Sequence, residues 1–251
     1  MKPASSNQYA SAILSCLYDY PLRSALVILC LVFIGCVPGT AYHKKEALHP
    51  LPPNSRVLLM PTDIQLFELT VGGLEEPKVD WTIAAQKHVH TALKSILQGK
   101  QDTLIEYEPI QGDPDKARAV EQLIKLHEAV GLEITVHKYI QPYTLPTKAN
   151  EFTWSLGSSV NRLTERYEAD CALFIHIRDS YASAGRKAAM VIGALAGVGL
   201  YGGQQIGFSS LVDLRTGEII WFGRIHKQSG DLRTFENALE AVEQLLDGIP
   251  L

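Results

Sequence analysis

Eight histidines, four cysteines and a scatter of carboxylates are the residues of this 251-residue chain that could do chemistry. Their spacing argues against most of it. Serine hydrolysis on an open α/β sheet uses a G-x-S-x-G turn, and the serine pairs of GSSV and FSSL lack it. His88 and His90 are two apart in a helical stretch, so they point to different faces. His127-Glu128 lacks the second histidine of H-E-x-x-H, and His137, His176 and His226 are scattered. No metal ligand set is expected, and no cofactor. Glu75-Glu76 reads as solvated loop, and Glu106 with Glu108 share a strand face without a partner acid. Cys171 sits in the apolar run CALFI, where a lone thiol is a small core residue. The other cysteines are Cys16, Cys30 and Cys36, too few and too unevenly placed for a disulfide framework. Arg178-Asp179 and the later pair Asp231, Arg233 fit polar networks at the ends of a sheet.

One stretch is unusual, Arg178 to Gly203: RDSYASAGRKAAMVIGALAGVGLYGG. A polar start with Arg178, Asp179, Tyr181 and Arg186 leads into Ala188 to Tyr201, which carries no charge. That run is too short for a perpendicular bilayer span. Gly193 and Gly197 make one small-xxx-small step and Gly199 and Gly203 another, a spacing that lets backbones approach closely. Three uses compete: burial against the domain's own sheet, a protomer contact or membrane-dipping segment, and phosphate binding through the G-x-G-x-x-G of Gly197, Gly199 and Gly202. The last needs a strand before it and a helix after it; strand-like QIGFSSLVD follows instead. A barrel strand would alternate polar and apolar residues, and AAMVIGALAGVGL does not.

At the other end, Ala25 to Gly35 is an unbroken apolar run preceded by Arg23, the layout of a secretory leader. It stops at Phe33-Ile34-Gly35-Cys36, which resembles a bacterial lipoprotein signal. The resemblance implies that Cys36 becomes an acylated N-terminus after removal of residues 1–35. Several acyl chains anchor a protein firmly where one is marginal. Val37, rather than Asp, follows the cysteine, which implies the outer membrane with the domain facing the periplasm.

The elements around these residues are those of a globular α/β chain. Composition is ordinary, 46% hydrophobic and 20% charged, with net charge −4, so no basic field points to nucleic acid. Residues 36–55, rich in proline, read as a lipid-proximal tether. Residues 56–251 read as one periplasmic α/β domain with an apolar Gly/Ala-rich insert at 186–203. RVLLM is a strand ended by Pro61, and residues 62–79 are expected to be irregular. Apolar spacing predicts a helix from Asp80, as N-cap, to Gly99. A strand follows at Thr103 to Tyr107, then a helix opened by Asp113-Pro114 and running through Gly131 to about Tyr139. A further helix is expected over Phe152 to Tyr167, strands over Cys171 to Asp179 and Gln205 to Asp213, and a hairpin return over Glu218 to Ile225. A last amphipathic helix covers Thr234 to Leu246. The sum is a three-layer-like arrangement, a mixed sheet carrying a C-terminal β-hairpin with amphipathic helices packed on it.

The block SLVDLRTGEIIWFGRI, amphipathic helix, LLDGIP resembles a group of bacterial envelope lipoproteins that share one α/β fold. The group includes the curli secretion channel lipoprotein, the lipoprotein activators of penicillin-binding proteins, the Pel polysaccharide export lipoprotein and the N-terminal domain of TolB. The shared positions are Asp213, Thr216, Gly217, Trp221 and Pro250. The resemblance implies a non-catalytic scaffold or assembly factor of an envelope machine. Its partners would be the bilayer through acylated Cys36, and envelope proteins or further copies of itself. A periplasmic ligand- or peptidoglycan-binding module is the alternative, and a hydrolase a distant third. Interaction residues are expected at Arg178, Asp179, Tyr181, Arg186, Gly193, Gly197, Gly199 and Gly203.

Overall fold

In the computed structural model, the residues described are 46–47, 51, 54–99, 104–148, 151–228 and 230–251. The leader, Cys36 and most of the expected tether lie outside them. Among the described residues the strands are β1 (Glu46–Ala47), β2 (Val57–Leu59), β3 (Asp63–Leu69), β4 (Glu75–Pro77), β5 (Leu104–Glu106), β6 (Cys171–Ala182), β7 (Gln205–Asp213) and β8 (Ile219–Lys227). The helices are α1 (Val79–Ile96), α2 (Pro114–Tyr139), α3 (Asn161–Tyr167), α4 (Ala184–Leu195) and α5 (Phe235–Leu245).

One mixed, eight-stranded sheet organises the molecule. The long strand β6 is its spine. β2 and then β3 pair with it in parallel along the same side, at Val57↔Cys171 and Asp63↔His176. Between them Pro61, which has no N–H to give a ladder, marks the break. β5 extends the lower half of that edge in parallel with β2, and β4 returns antiparallel on β3. On the other side β7 and β8 follow antiparallel, and β1 pairs with β8 at Glu46↔Phe222. Glu46–Ala47, inside the stretch expected as tether, is therefore a sheet strand.

The period-2 alternation of the strands divides the core into two faces. Leu173, Ile175, Ile177, Trp221 and Ile225 point to the side covered by α1 and α5, through Ala85, Val89, Val242 and Leu245. Ala172, Phe174, Phe208 and Phe222 point to the side covered by α2 and α3, through Val120, Leu123, Ile134 and Leu163. Burying each such large side chain contributes about 1.5–3 kcal/mol. The result is the expected α/β arrangement, with helices on both faces of a mixed sheet and a C-terminal hairpin.

The hairpin turn shows why its residue types are needed. Asp213 Oδ1 accepts hydrogen bonds from the backbone N–H of Arg215 and Thr216, both at 2.8 Å. Gly217 sits at φ +78°, and its N–H closes the turn on the Asp213 carbonyl at 2.8 Å. In α2, Asp113 caps the Lys116 N–H at 3.0 Å and Pro114 opens the first turn. The helix passes through Gly131 because a Cβ there would meet the Phe208 ring at 2.0 Å; glycine is the only residue that lets helix and sheet come so close.

Three further expectations are corrected. Residues 62–79 hold a β-hairpin rather than irregular chain: DIQLFEL alternates, with Ile64 and Leu66 buried and Gln65 exposed. The predicted helix over Phe152 to Tyr167 is helical only from Ser158. Before it, Leu156 N–H bonds the Gly217 carbonyl at 2.8 Å and Ile219 N–H bonds the Trp154 carbonyl at 2.9 Å, so pairing with the hairpin overrides helix propensity. α1 ends at Ile96 rather than Gly99, and Asp80 lies inside its first turn, where its charge complements the helix dipole.

Candidate functional site

Alternation along β6 sends neighbouring expected site residues to opposite faces. Arg178 turns toward α2. Its Nη1 lies 3.0 Å from Asp63 Oδ1 and its Nη2 donates to Glu128 Oε1 at 2.9 Å. Lys125 adds contacts to Asp63 Oδ2 at 3.3 Å and Glu128 Oε2 at 3.0 Å. Beneath them His176 is buried and stacked on Phe208, its Nδ1 3.4 Å from Asp63 Oδ2. Burial works to raise the Asp63 carboxyl, but His176 and the Arg178 guanidinium outweigh it and hold the group well below the usual carboxylate range. Donor atoms of Asp63, Glu128 and His176 all lie within 4.8 Å of one another, close enough to share a metal ion. The carboxylates are nonetheless already neutralised by Arg178 and Lys125, so a cation would have to displace both. The cluster is an ionic clasp joining β3, α2 and β6. It borders a groove of about 530 Å³ lined by Thr62, Arg118, Glu121 and Lys125.

Deeper on the same face, His127 Nε2 lies 2.9 Å from Ser210 Oγ, the spacing of a nucleophile and its base. Ser210 is 0% exposed and His127 1%, so the pair is sealed inside the core. Burial and the charge of His176 push His127 down to about 3, which keeps it neutral. Cys171 is also buried, and burial pushes its thiol up to about 12, the behaviour of an inert core residue.

Asp179 and Tyr181 face α1. The Tyr181 hydroxyl donates to Asp179, Gln205 Nε2 donates to Asp179 Oδ2 at 2.9 Å, and Leu232 N–H donates to the Tyr181 oxygen at 2.8 Å. Burial lifts Asp179 to about 6 despite these bonds. Arg233, paired with Asp231 at 2.7 Å, stacks over the rings of Tyr181 and Trp81 at 4.2 and 4.6 Å. The network ties the segment before α5 to the sheet. The expected association of Arg178 with Asp179 is therefore two separate networks on two faces.

Above the end of β6 lies the feature that differs most from an ordinary domain. Ser183 caps α4 by accepting from Arg186 N–H at 3.1 Å. The helix then runs out over the end of the sheet, and none of its residues is buried. Ile192 is 68% exposed and Leu195 87%. Residues 196–203 fold back along it: Arg186 Nε donates to the Tyr201 carbonyl at 2.9 Å, and Arg186 Nη1 to the Val71 carbonyl in the β3–β4 turn at 3.1 Å. That turn adds exposed Val71 and Leu74. The segment is thus neither core nor a phosphate loop, since its glycines follow the helix instead of preceding one. Gly193 lies in α4 against the Val198 carbonyl, Gly197 is at φ +74° just past the helix, Gly199 is in open space, and Gly203 at φ +113° abuts the Ser180 carbonyl. They shape the fold-back of the chain on itself rather than lining one helix face.

Sequence reasoning missed Asp63 and Lys125, met Glu128 only as part of an incomplete H-E-x-x-H, and missed the exposed pair Val71 and Leu74. The alternation of DIQLFEL was the available signal for the first; nothing in the sequence joins Glu128 to a strand fifty residues on.

No family model matches the chain, and no curated protein matches it. Among solved structures it is similar to the PelC dodecamer from Paraburkholderia phytofirmans, at 8% identity and a TM-score of 0.37, covering 82% of this chain and 95% of that one. It is also similar to lipoprotein GNA1162 from Neisseria meningitidis, at 14% identity and a TM-score of 0.26, covering 68% of this chain and 81% of that one.

Proposed function

We propose that this chain is a lipid-anchored protein of the bacterial envelope that acts without catalysis, as a scaffold or assembly factor. Its working surface is the apolar end built by α4 and the β3–β4 turn. The observation that carries the reading is that α4 buries none of its residues while presenting Val191, Ile192 and Leu195; a contiguous apolar surface left in water marks an interaction site. The groups with catalytic potential are already engaged. Ser210 and His127 are sealed, and Asp63 and Glu128 are matched by Arg178 and Lys125. Acylation at Cys36 supplies the anchor, and the outer membrane facing the periplasm is the place its flanking residues favour.

A ligand-binding module is the second reading. The mixed-charge groove beside Asp63 favours it, because Arg118 and Glu121 offer both signs of charge to a polar ligand.

Two substitutions test the first reading. Cys36→Ala moves the protein from the membrane fraction to the soluble periplasm; unchanged partitioning with an unmodified leader rejects the anchor. Ile192→Glu with Leu195→Glu keeps the fold and the anchor but alters which envelope proteins crosslink to the chain in cells. An unaltered pattern rejects the apolar end as the working surface.

A further inference from the structure

Residues four apart share a helix face, and two such pairs meet across a cavity of about 630 Å³: Lys116 and Val120 on α2, and Arg162 and Arg166 on α3. The size suits a small-molecule site, which takes about 300–1,000 Å³. None of its lining residues belongs to the groove beside Asp63. Inside, Val120 and Leu163 are buried and Ile110 is half-buried, so part of the wall is apolar. Tyr167 adds its ring; its hydroxyl is already engaged, donating to the Glu108 carbonyl at 2.7 Å.

The charges at this cavity are unmatched where others in the molecule are matched. Arg56, Arg178 and Arg233 each hold a carboxylate within 3.0 Å. The Arg162 side chain has no hydrogen-bond or ion-pair partner among the described residues, and the Arg166 guanidinium only lies over the Tyr167 ring at 5.4 Å. Lys116 has Asp113 at 3.2 Å, a carboxylate that also caps α2. Of the acids nearby, Glu168 is taken by Arg56, and Asp115 and Glu108 do not line the cavity. Glu165 does line it and, among the described residues, is unpaired. Three cations, one acid and an apolar wall therefore face the same space.

We propose that this cavity binds a phosphorylated sugar. Guanidinium forks match phosphate oxygens in pairs. Arg162, Arg166 and Lys116 are three cationic heads for the three oxygens of a phosphate ester, one more than a planar carboxylate offers. Glu165 is an acceptor and asks for a donor, which a sugar hydroxyl supplies. The C–H face of the ring rests on Ile110, Val120 and Leu163. A bare anion would leave Glu165 and the apolar wall unused, and a neutral sugar would leave the guanidinium groups unmatched. The site depends on neither reading above: it lies apart from α4 and from the groove.

The test titrates the whole chain with glucose 6-phosphate, glucose and inorganic phosphate by calorimetry. Glucose 6-phosphate binds saturably, and the other two each bind at least about tenfold more weakly, the loss of one charge-assisted contact or more. Arg162→Gln with Arg166→Gln lowers affinity for glucose 6-phosphate by about tenfold or more, with an unchanged melting temperature because both side chains are exposed. Glu165→Ala narrows the gap between glucose 6-phosphate and inorganic phosphate, since it removes the hydroxyl acceptor and a repelling charge. Arg118→Gln, in the groove, changes neither. Inorganic phosphate binding as tightly as glucose 6-phosphate overturns the sugar and leaves an anion site only. Binding that survives the double arginine variant but falls in Arg118→Gln overturns this cavity in favour of the groove. Absence of saturable binding overturns the proposal, and leaves the anchor and the α4 surface to their own tests.

Discussion

Protonating His127 places a charge in a core site where its Nε2 faces the Ser210 hydroxyl at 2.9 Å, and that has a measurable consequence. Its folded-state value of about 3 lies below the unfolded imidazole value of about 6.5. Between those values the unfolded chain binds more protons than the folded one, so stability is full above pH 6.5 and falls as the pH drops through the window. Asp179 has the opposite sign. Its carboxyl is raised to about 6, so the folded chain holds the proton longer, and stability falls as pH rises from about 4 to 6. At pH 4.5 each effect is of the order of 2 kcal/mol by the usual ~1.4 kcal/mol per pKa unit, and they partly cancel. Thermal unfolding at pH 7 and 4.5 separates them. His127→Gln loses less stability on acidification than the wild type, and Asp179→Asn loses more. Equal losses in all three proteins remove both assignments.

The elements are held by close approaches as much as by apolar area. α2 can cross Phe208 only over Gly131, and the return from α4 into β7 can pass Ser180 only at Gly203. At Gly203 a methyl group would lie 2.2 Å from the Ser180 carbonyl oxygen, at a backbone angle that L residues avoid. Gly203→Ala therefore destabilises by about 2 kcal/mol or more. Gly199→Ala meets nothing within 4 Å and changes stability by less than about 0.5 kcal/mol. Urea midpoints of the two variants measure the difference. Equal midpoints mean that the α4 return is not fitted against the sheet.

Across the whole molecule, the apolar surface of α4 is separable from the core that folds the chain. The core lies in two layers either side of the sheet, and α4 belongs to neither cluster. Ile192→Glu with Leu195→Glu exchanges two side chains that are mostly in water, so folding stability stays within about 1 kcal/mol of the wild type. The same exchange raises solubility and removes the interaction. A large fall in melting temperature places α4 in the cooperative core and ends the case for a docking surface.

Much of the fold was written in local pattern. The alternation of CALFIHIRD, QIGFSSLVD and EIIWFGRI, the D-x-x-T-G turn, the Asp113-Pro114 start and the spacing of Phe235, Leu239 and Val242 each depend on neighbours within a few residues, and all became the elements they predict. The same local reading made a helix of Phe152 to Leu156, because only the distant Gly217 turn supplies the partner that draws this stretch into extended pairing. It also could not tell which of the uses of Ala188–Tyr201 applies: an uncharged run reads alike whether it is buried or not. Tertiary structure decided that α4 stands clear of both core layers. It also decided that Asp63, Lys125, Glu128 and Arg178, from three elements, close on one another. Burial and charge pairing are properties of the whole chain's path through space, and no short window of residues contains them.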